Sequence, residues 1–106
     1  MIELSHNASM SEYQRYVARL EEMKGWLDTD LVRNCFLMGE EVGELFSAVR
    51  RLEGAEPDAR SARVDHVGEE IVDVMNYLMA IANRLEIDLE TAFREKNRRN
   101  QTRTWS

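Results

Sequence analysis

A chain of 106 residues fits one domain and leaves no room for two. Its net charge of −6 argues against nucleic-acid polymers, whose binders carry a basic face, but admits a small phosphate-bearing ligand if metal ions supply positive charge. Cys35 is the single cysteine, so no intrachain disulfide can form. There is no apolar run of the ~18 residues that a membrane span needs, nor a signal pattern, and the expected compartment is a reducing cytoplasm.

Scarce glycine and a single proline, Pro57, favour long helices. Residues 1–8 lack periodicity and are expected to form a loose arm. Ser9 and Glu12 spell a capping box for a first helix that runs to about Lys24, with Tyr13, Val17 and Leu20 on one face. Gly25 stops it. Asp28, Thr29 and Asp30 offer caps for a second helix, which reaches about Glu53 and ends at Gly54. The stretch 54–61 holds Gly, Pro and Asp and predicts a loop. A third helix is expected from about Ala62 to Leu85. After a break at Glu86 to Asp88, Asp88 caps a fourth helix from Leu89 to about Asn100. A tail over 101–106 is polar apart from Trp105. The predicted fold is all-α: one four-helix, bundle-like domain over residues 1–106.

The two long helices each carry an apolar stripe. On the third, Val67, Ile71, Val74, Leu78, Ile81 and Leu85 alternate at spacings of four and three, a seam suited to antiparallel packing. On the second, Leu31, Met38, Leu45 and Leu52 recur every seven residues. Asn34 and Glu41 fall within that stripe, and a carboxylate in a core stripe requires a reason.

The reason lies in a repeat. Gly39-Glu40-Glu41-Val42-Gly43-Glu44-Leu45 returns 29 residues later as Gly68-Glu69-Glu70-Ile71-Val72-Asp73-Val74. At about 100° per residue, Glu41 stands roughly 60° and Glu44 roughly 120° from the stripe centre, while Glu40 points outward. On the third helix Glu70 stands roughly 70° and Asp73 roughly 130° away, with Glu69 outward. Packed together, the helices bring Glu41, Glu44, Glu70 and Asp73 into one place.

Four such carboxylates cannot all stay ionised in a partly buried site without a counter-charge. Hard oxygen ligands with no His or Cys among them favour Mg²⁺, with Mn²⁺ as a substitute, over Zn²⁺. Mg²⁺ is commonly shared with substrate phosphates, which makes a triphosphate the natural third party. A di-iron bundle requires Glu-x-x-His on two helices, and the only match, Glu3 to His6, lies in the arm.

With Glu41-x-x-Glu44 on one helix and Glu70-x-x-Asp73 on the next, the chain resembles the MazG-like, all-α nucleoside triphosphate pyrophosphohydrolases over roughly residues 25–104. The stretches GEEVGELFSAV and EEIVDVMNYLMAIANRLEIDLETAFREKNRRN carry the likeness. The resemblance implies Mg²⁺-dependent hydrolysis of nucleoside triphosphates to monophosphate and pyrophosphate, with Glu41, Glu44, Glu70 and Asp73 as metal ligands and catalytic groups. It also implies dimers or tetramers in which neighbouring chains complete the site. Lys96, Asn100 and Arg103, at i, i+4 and i+7, match the basic and amide-bearing stretch that members carry, which implies phosphate contacts for Lys96 and Arg103 with Asn100 fixing orientation; the alternative is a helix C-terminus whose cations complement the dipole.

Asn76, three residues after Asp73, is a candidate for ligand contact. Trp26 either stacks on a base or is buried at a helix junction. His66 is expected at the surface, Cys35 in the core or an interface, and Met38, Met75 and Met79 in packing. Val32, Cys35, Phe36, Val42 and Phe46, with Val64, Val72, Met75 and Met79, lie off the two stripes. Helices apolar on more than one face must bury more than one, which predicts a homo-oligomer, a dimer or a dimer of dimers. The alternative from another class is a non-catalytic helical module that binds nucleotide or metal.

Overall fold

The computed structural model describes residues 1–104. Four α-helices follow in chain order: α1 (Met10–Lys24), α2 (Leu31–Glu53), α3 (Arg60–Arg84) and α4 (Leu89–Thr102), with a 3-10 turn at Pro57–Ala59. The loop expected over 54–61 is therefore shorter than its composition suggested. Pro57 opens the turn where its missing N–H is harmless, and α3 continues from it two residues ahead of Ala62.

Local chemistry explains the ends. Ser9 and Glu12 close the capping box in both directions. The Asp30 carboxylate accepts from the Arg33 amide at 2.7 Å and caps α2. Gly25 takes a left-handed φ of 75°, and the Trp26 amide reaches back to the Glu21 carbonyl at 2.8 Å. That six-to-one closure ends α1 and fixes Trp26. The end of α3 repeats it with Glu86 at φ 54°, the Ile87 amide donating to the Ala82 carbonyl at 2.9 Å.

α2 and α3 pack along each other as an antiparallel hairpin, and α1 crosses the C-terminal half of α3. Side-chain bonds set this crossing. Gln14 donates to Asn83 Oδ1 and the Ile87 carbonyl and accepts from the Leu89 amide. The Arg84 guanidinium grips Glu21 at 2.8 Å and donates to the Trp26 and Thr29 carbonyls at 3.1 and 2.8 Å. α4 touches α1 and otherwise projects outward.

The core of one protomer is small: Val17, Met79 and Ala80, with Tyr16 and Leu89 against them. The α3 stripe is only partly covered, since Ile71, Leu78 and Leu85 are 44%, 48% and 50% exposed. Phe36 and Phe46 are each 73% exposed, and Cys35, expected in a core or interface, is exposed in the protomer. Met79 is buried, but Met75 is exposed. Asn34 is buried because its amide closes on the Thr29 and Asp30 carbonyls at 3.2 and 3.0 Å, holding the α1–α2 linker. The accessible surface is 8284 Å², against roughly 6,100 Å² for a compact monomer of this mass. The radius of gyration is 16.4 Å, against about 13 Å for a compact chain of this length. In the arm, Ile2 and Leu4 line a groove with Tyr13, Val72 and Met75. Trp105 and Ser106, the end of the expected tail, lie outside the described residues.

Candidate metal centre and its cleft

Because α2 and α3 run antiparallel in contact, the two copies of the repeat meet at mid-height. Glu41, Glu70 and Asp73 each offer a carboxylate oxygen within 4.8 Å of the others. Glu70 is the deepest, at 9% exposure, and its Oε2 is buried with no hydrogen-bond partner. A buried carboxylate oxygen left unpaired is costly unless a cation completes it. Burial first, and then the charges of Asp73, Glu70, Glu44 and Glu40, push the Glu41 carboxyl above the usual range. Three hard donors, an orphaned oxygen and a raised proton affinity fit a divalent cation such as Mg²⁺.

Glu44 stands one turn further along α2. It is exposed and outside the close group, though near enough for its charge to act on Glu41. Glu40 and Glu69 face outward as expected. His66, expected at the surface, is half-buried, with Nε2 3.6 Å from Glu70 Oε1 and Nδ1 3.7 Å from Glu69 Oε2. The i, i+4 spacing of His66 and Glu70 is the signal that foretells this approach.

A cleft of about 550 Å³ opens beside the carboxylates, walled by α1, the α1–α2 linker, α2 and α3. Glu41, Asp73, Asn76 and Trp26, all singled out from sequence, line it. Trp26 is 53% exposed and so is not buried at the helix junction. Sequence reasoning missed Lys24, Thr29 and Arg33, which also line the cleft. Arg33, Leu37 and Glu41 fall at i, i+4 and i+8, a spacing that puts all three on one face of α2. Tyr77 completes the wall. Burial and the nearby Glu41, Glu40 and Asp73 raise its hydroxyl's proton affinity, with Arg33 opposing.

Lys96, Asn100 and Arg103 do not reach this cleft within their own chain, because α4 leaves the bundle past α1. α4 runs two residues beyond the expected Asn100 and ends at Thr102, and Arg103 follows in extended conformation. The three therefore do not share one helical face throughout.

The model of the MazG nucleotide pyrophosphohydrolase domain matches residues 33–105, more than half of the chain. The chain belongs to that family. The MazG match takes in both copies of the repeat and all of α3 and α4, whereas α1 and the linker with Trp26 lie outside it. MazG domains are typically metal-dependent, in keeping with the acidic cluster. No curated protein and no solved structure matches the chain significantly. Among the described residues, no helix is long and apolar enough to cross a membrane.

Proposed function

We propose that this MazG domain hydrolyses nucleoside triphosphates, ribo or deoxyribo, between the α- and β-phosphates, releasing a nucleoside monophosphate and pyrophosphate. The observation that carries the reading is the close group of Glu41, Glu70 and Asp73, in which Glu70 Oε2 is buried and unpartnered. Glu41, Glu70 and Asp73 would hold Mg²⁺, or Mn²⁺ in its place, with Glu44 as the fourth candidate ligand. The bound ions supply charge neutralisation at the phosphates and ease deprotonation of water. Water attacks the α-phosphorus, its proton passes to a carboxylate of the cluster, and pyrophosphate leaves. The nucleoside lies in the cleft, with the base against Trp26 and Asn76 beside the sugar or phosphate.

The working unit is a homo-oligomer, a dimer or a dimer of dimers. Its support is the roughly 2,000 Å² of surface beyond that of a compact monomer, much of it apolar at Phe36, Phe46, Val49, Ile71 and Leu78. On this reading Lys96, Asn100 and Arg103, which do not line the cleft of their own chain, serve the triphosphate of a neighbouring chain.

Purified protein incubated with a panel of NTPs and dNTPs plus Mg²⁺ or Mn²⁺ is expected to release monophosphate and pyrophosphate. Release of inorganic phosphate alone, or no release at all, overturns the hydrolase. Nucleotide binding without turnover identifies a non-catalytic module instead. Light scattering during size exclusion is expected to give at least twice the 12.4 kDa chain mass.

A further inference from the structure

The far end of the cleft has an unequal supply of hydrogen-bonding groups. Its acceptors are mostly spent. Both Glu21 oxygens, the Trp26 carbonyl and the Thr29 carbonyl receive the Arg84 guanidinium, and Thr29 also receives the Asn34 amide. What remains, besides the Asn76 amide, is donor-rich. Among the described residues, the Arg33 side chain has no hydrogen-bond or ion-pair partner, yet it lines the cleft close enough to Tyr77 for its charge to be felt there. Lys24, the other unengaged cation of the lining, also only donates. The free hydroxyls of Thr29 and Tyr77 donate as readily as they accept.

Arg33 stands two turns from Glu41 on the same face of α2, a rise of about 12 Å. That separation suits the span from an α-phosphate on the carboxylates to the outer edge of a base. The apolar walls between them, Leu37, Val17, Leu20 and Ala80, suit a flat ring and not a polyphosphate. We infer that Arg33 is a specificity-determining residue that reads the edge of the nucleobase and selects bases carrying a keto group there over bases carrying an amino group. The guanidinium donates to O6 and N7 of hypoxanthine, as it does on guanine, and to the O4 of uracil, where adenine and cytosine present an amino donor instead. An amino-edged base in the same place leaves its own N–H and the guanidinium both facing donors, which forfeits water bonds that nothing replaces.

The inference rests on the hydrolase reading, and the experiment separates the two. kcat/KM is measured for UTP against CTP and for ITP against ATP, pairs that exchange a keto oxygen and its neighbouring ring N–H for an amino group and a ring acceptor, in the native protein, Arg33→Met and Arg33→Lys. In parallel, the non-hydrolysable α,β-methylene analogues of UTP and CTP are titrated calorimetrically with Mg²⁺ present. The native protein is expected to favour the keto member of each pair by about tenfold or more. Arg33→Met collapses that ratio to near unity through loss of the keto substrate, and Arg33→Lys retains part of it. Helix content by circular dichroism stays unchanged, since the side chain is exposed on α2. A native protein without keto preference overturns the inference, as does a preference that survives Arg33→Met. So does an equal loss on both members of a pair, the mark of a phosphate contact. Turnover without discrimination removes the role of Arg33 and leaves the hydrolase. Discriminating analogue binding without turnover does the reverse, and failure of both removes both.

Discussion

The two copies of the Gly-Glu-Glu motif share their letters but not their surroundings. On α3 the second glutamate, Glu70, is buried with an oxygen unpaired, and the aspartate three residues on joins the close group. On α2 the second glutamate, Glu41, is half-buried against the cleft, and Glu44 stays outside the group. Helical periodicity gives both copies the same direction. Burial depends on what lies opposite. α3 packs against both α2 and α1, whereas α2 packs chiefly on α3. The same text thus yields an interior carboxylate on one helix and a cleft-facing carboxylate on the other.

Substitutions that spare shape sharpen this comparison. The largest effect is expected at the two shared positions: Glu41→Gln and Glu70→Gln each lower metal-dependent pyrophosphate release by about a hundredfold or more, since each removes a direct ligand charge. Next come the third positions, where the copies differ. Asp73→Asn is expected to match that loss, while Glu44→Gln loses only about tenfold because its charge acts from outside the close group. Equal losses at Glu44 and Asp73 would show that cation binding draws Glu44 in and restores the symmetry of the repeat. At the first positions, Glu40→Gln and Glu69→Gln stay within about twofold, as exposed charges usually do. Steady-state rates across a Mg²⁺ titration distinguish lost affinity from lost turnover in all six variants.

Much of this was legible in the residues. The helix ends follow from Ser9, Gly25, Asp30 and Gly54, each with a local mechanism. The meeting of Glu41, Glu70 and Asp73 follows from the repeat and about 100° per residue, whereas the same reasoning also put Glu44 in the group and the structure leaves it outside. Distances between elements were not legible. The i, i+4, i+7 pattern of Lys96, Asn100 and Arg103 gives a face but not where α4 points, and α4 points away from the cleft of its own chain. Arg33 and Lys24 went unnoticed because charged residues near helix ends are ordinary, and only the crossing of α1 over α3 brings them to one cavity. That crossing is set by Gln14, Asn83, Glu21 and Arg84, polar residues whose long-range partners leave no periodic trace. Even the α3 stripe misleads for a single chain. Its residues are apolar, yet Ile71, Leu78 and Leu85 stay about half exposed.

The smallest expected effect concerns stability without metal, and here the comparison extends to a carboxylate outside the motif. Glu41 has its proton affinity raised, by burial and by the like charges around it. Glu12 has it lowered, by the Ser9 amide first and then the Ser5 and Ser9 hydroxyls. The two therefore pull stability in opposite directions with pH. The folded state binds the Glu41 proton more tightly than the unfolded state, so this contribution is complete below the ordinary glutamate value of about 4.3. It is lost as pH rises through the higher folded value. For Glu12 the contribution is present above the ordinary value and lost as pH falls through the lower folded one. In EDTA-treated protein at pH 7.5, Glu41→Gln is expected to melt slightly above the native protein, and Glu12→Gln slightly below it. At pH 4 the Glu41→Gln gain disappears. Added Mg²⁺ reverses the order at pH 7.5, because a ligand that binds only the folded state stabilises the protein with the intact cluster more strongly. Thermal melts with and without Mg²⁺ at both pH values decide it. A native protein that is already the more stable at pH 7.5 in EDTA would mean that the carboxylates do not repel one another in the folded chain. The unpaired oxygen of Glu70 would then have another partner, and a cation would not be needed to complete the site.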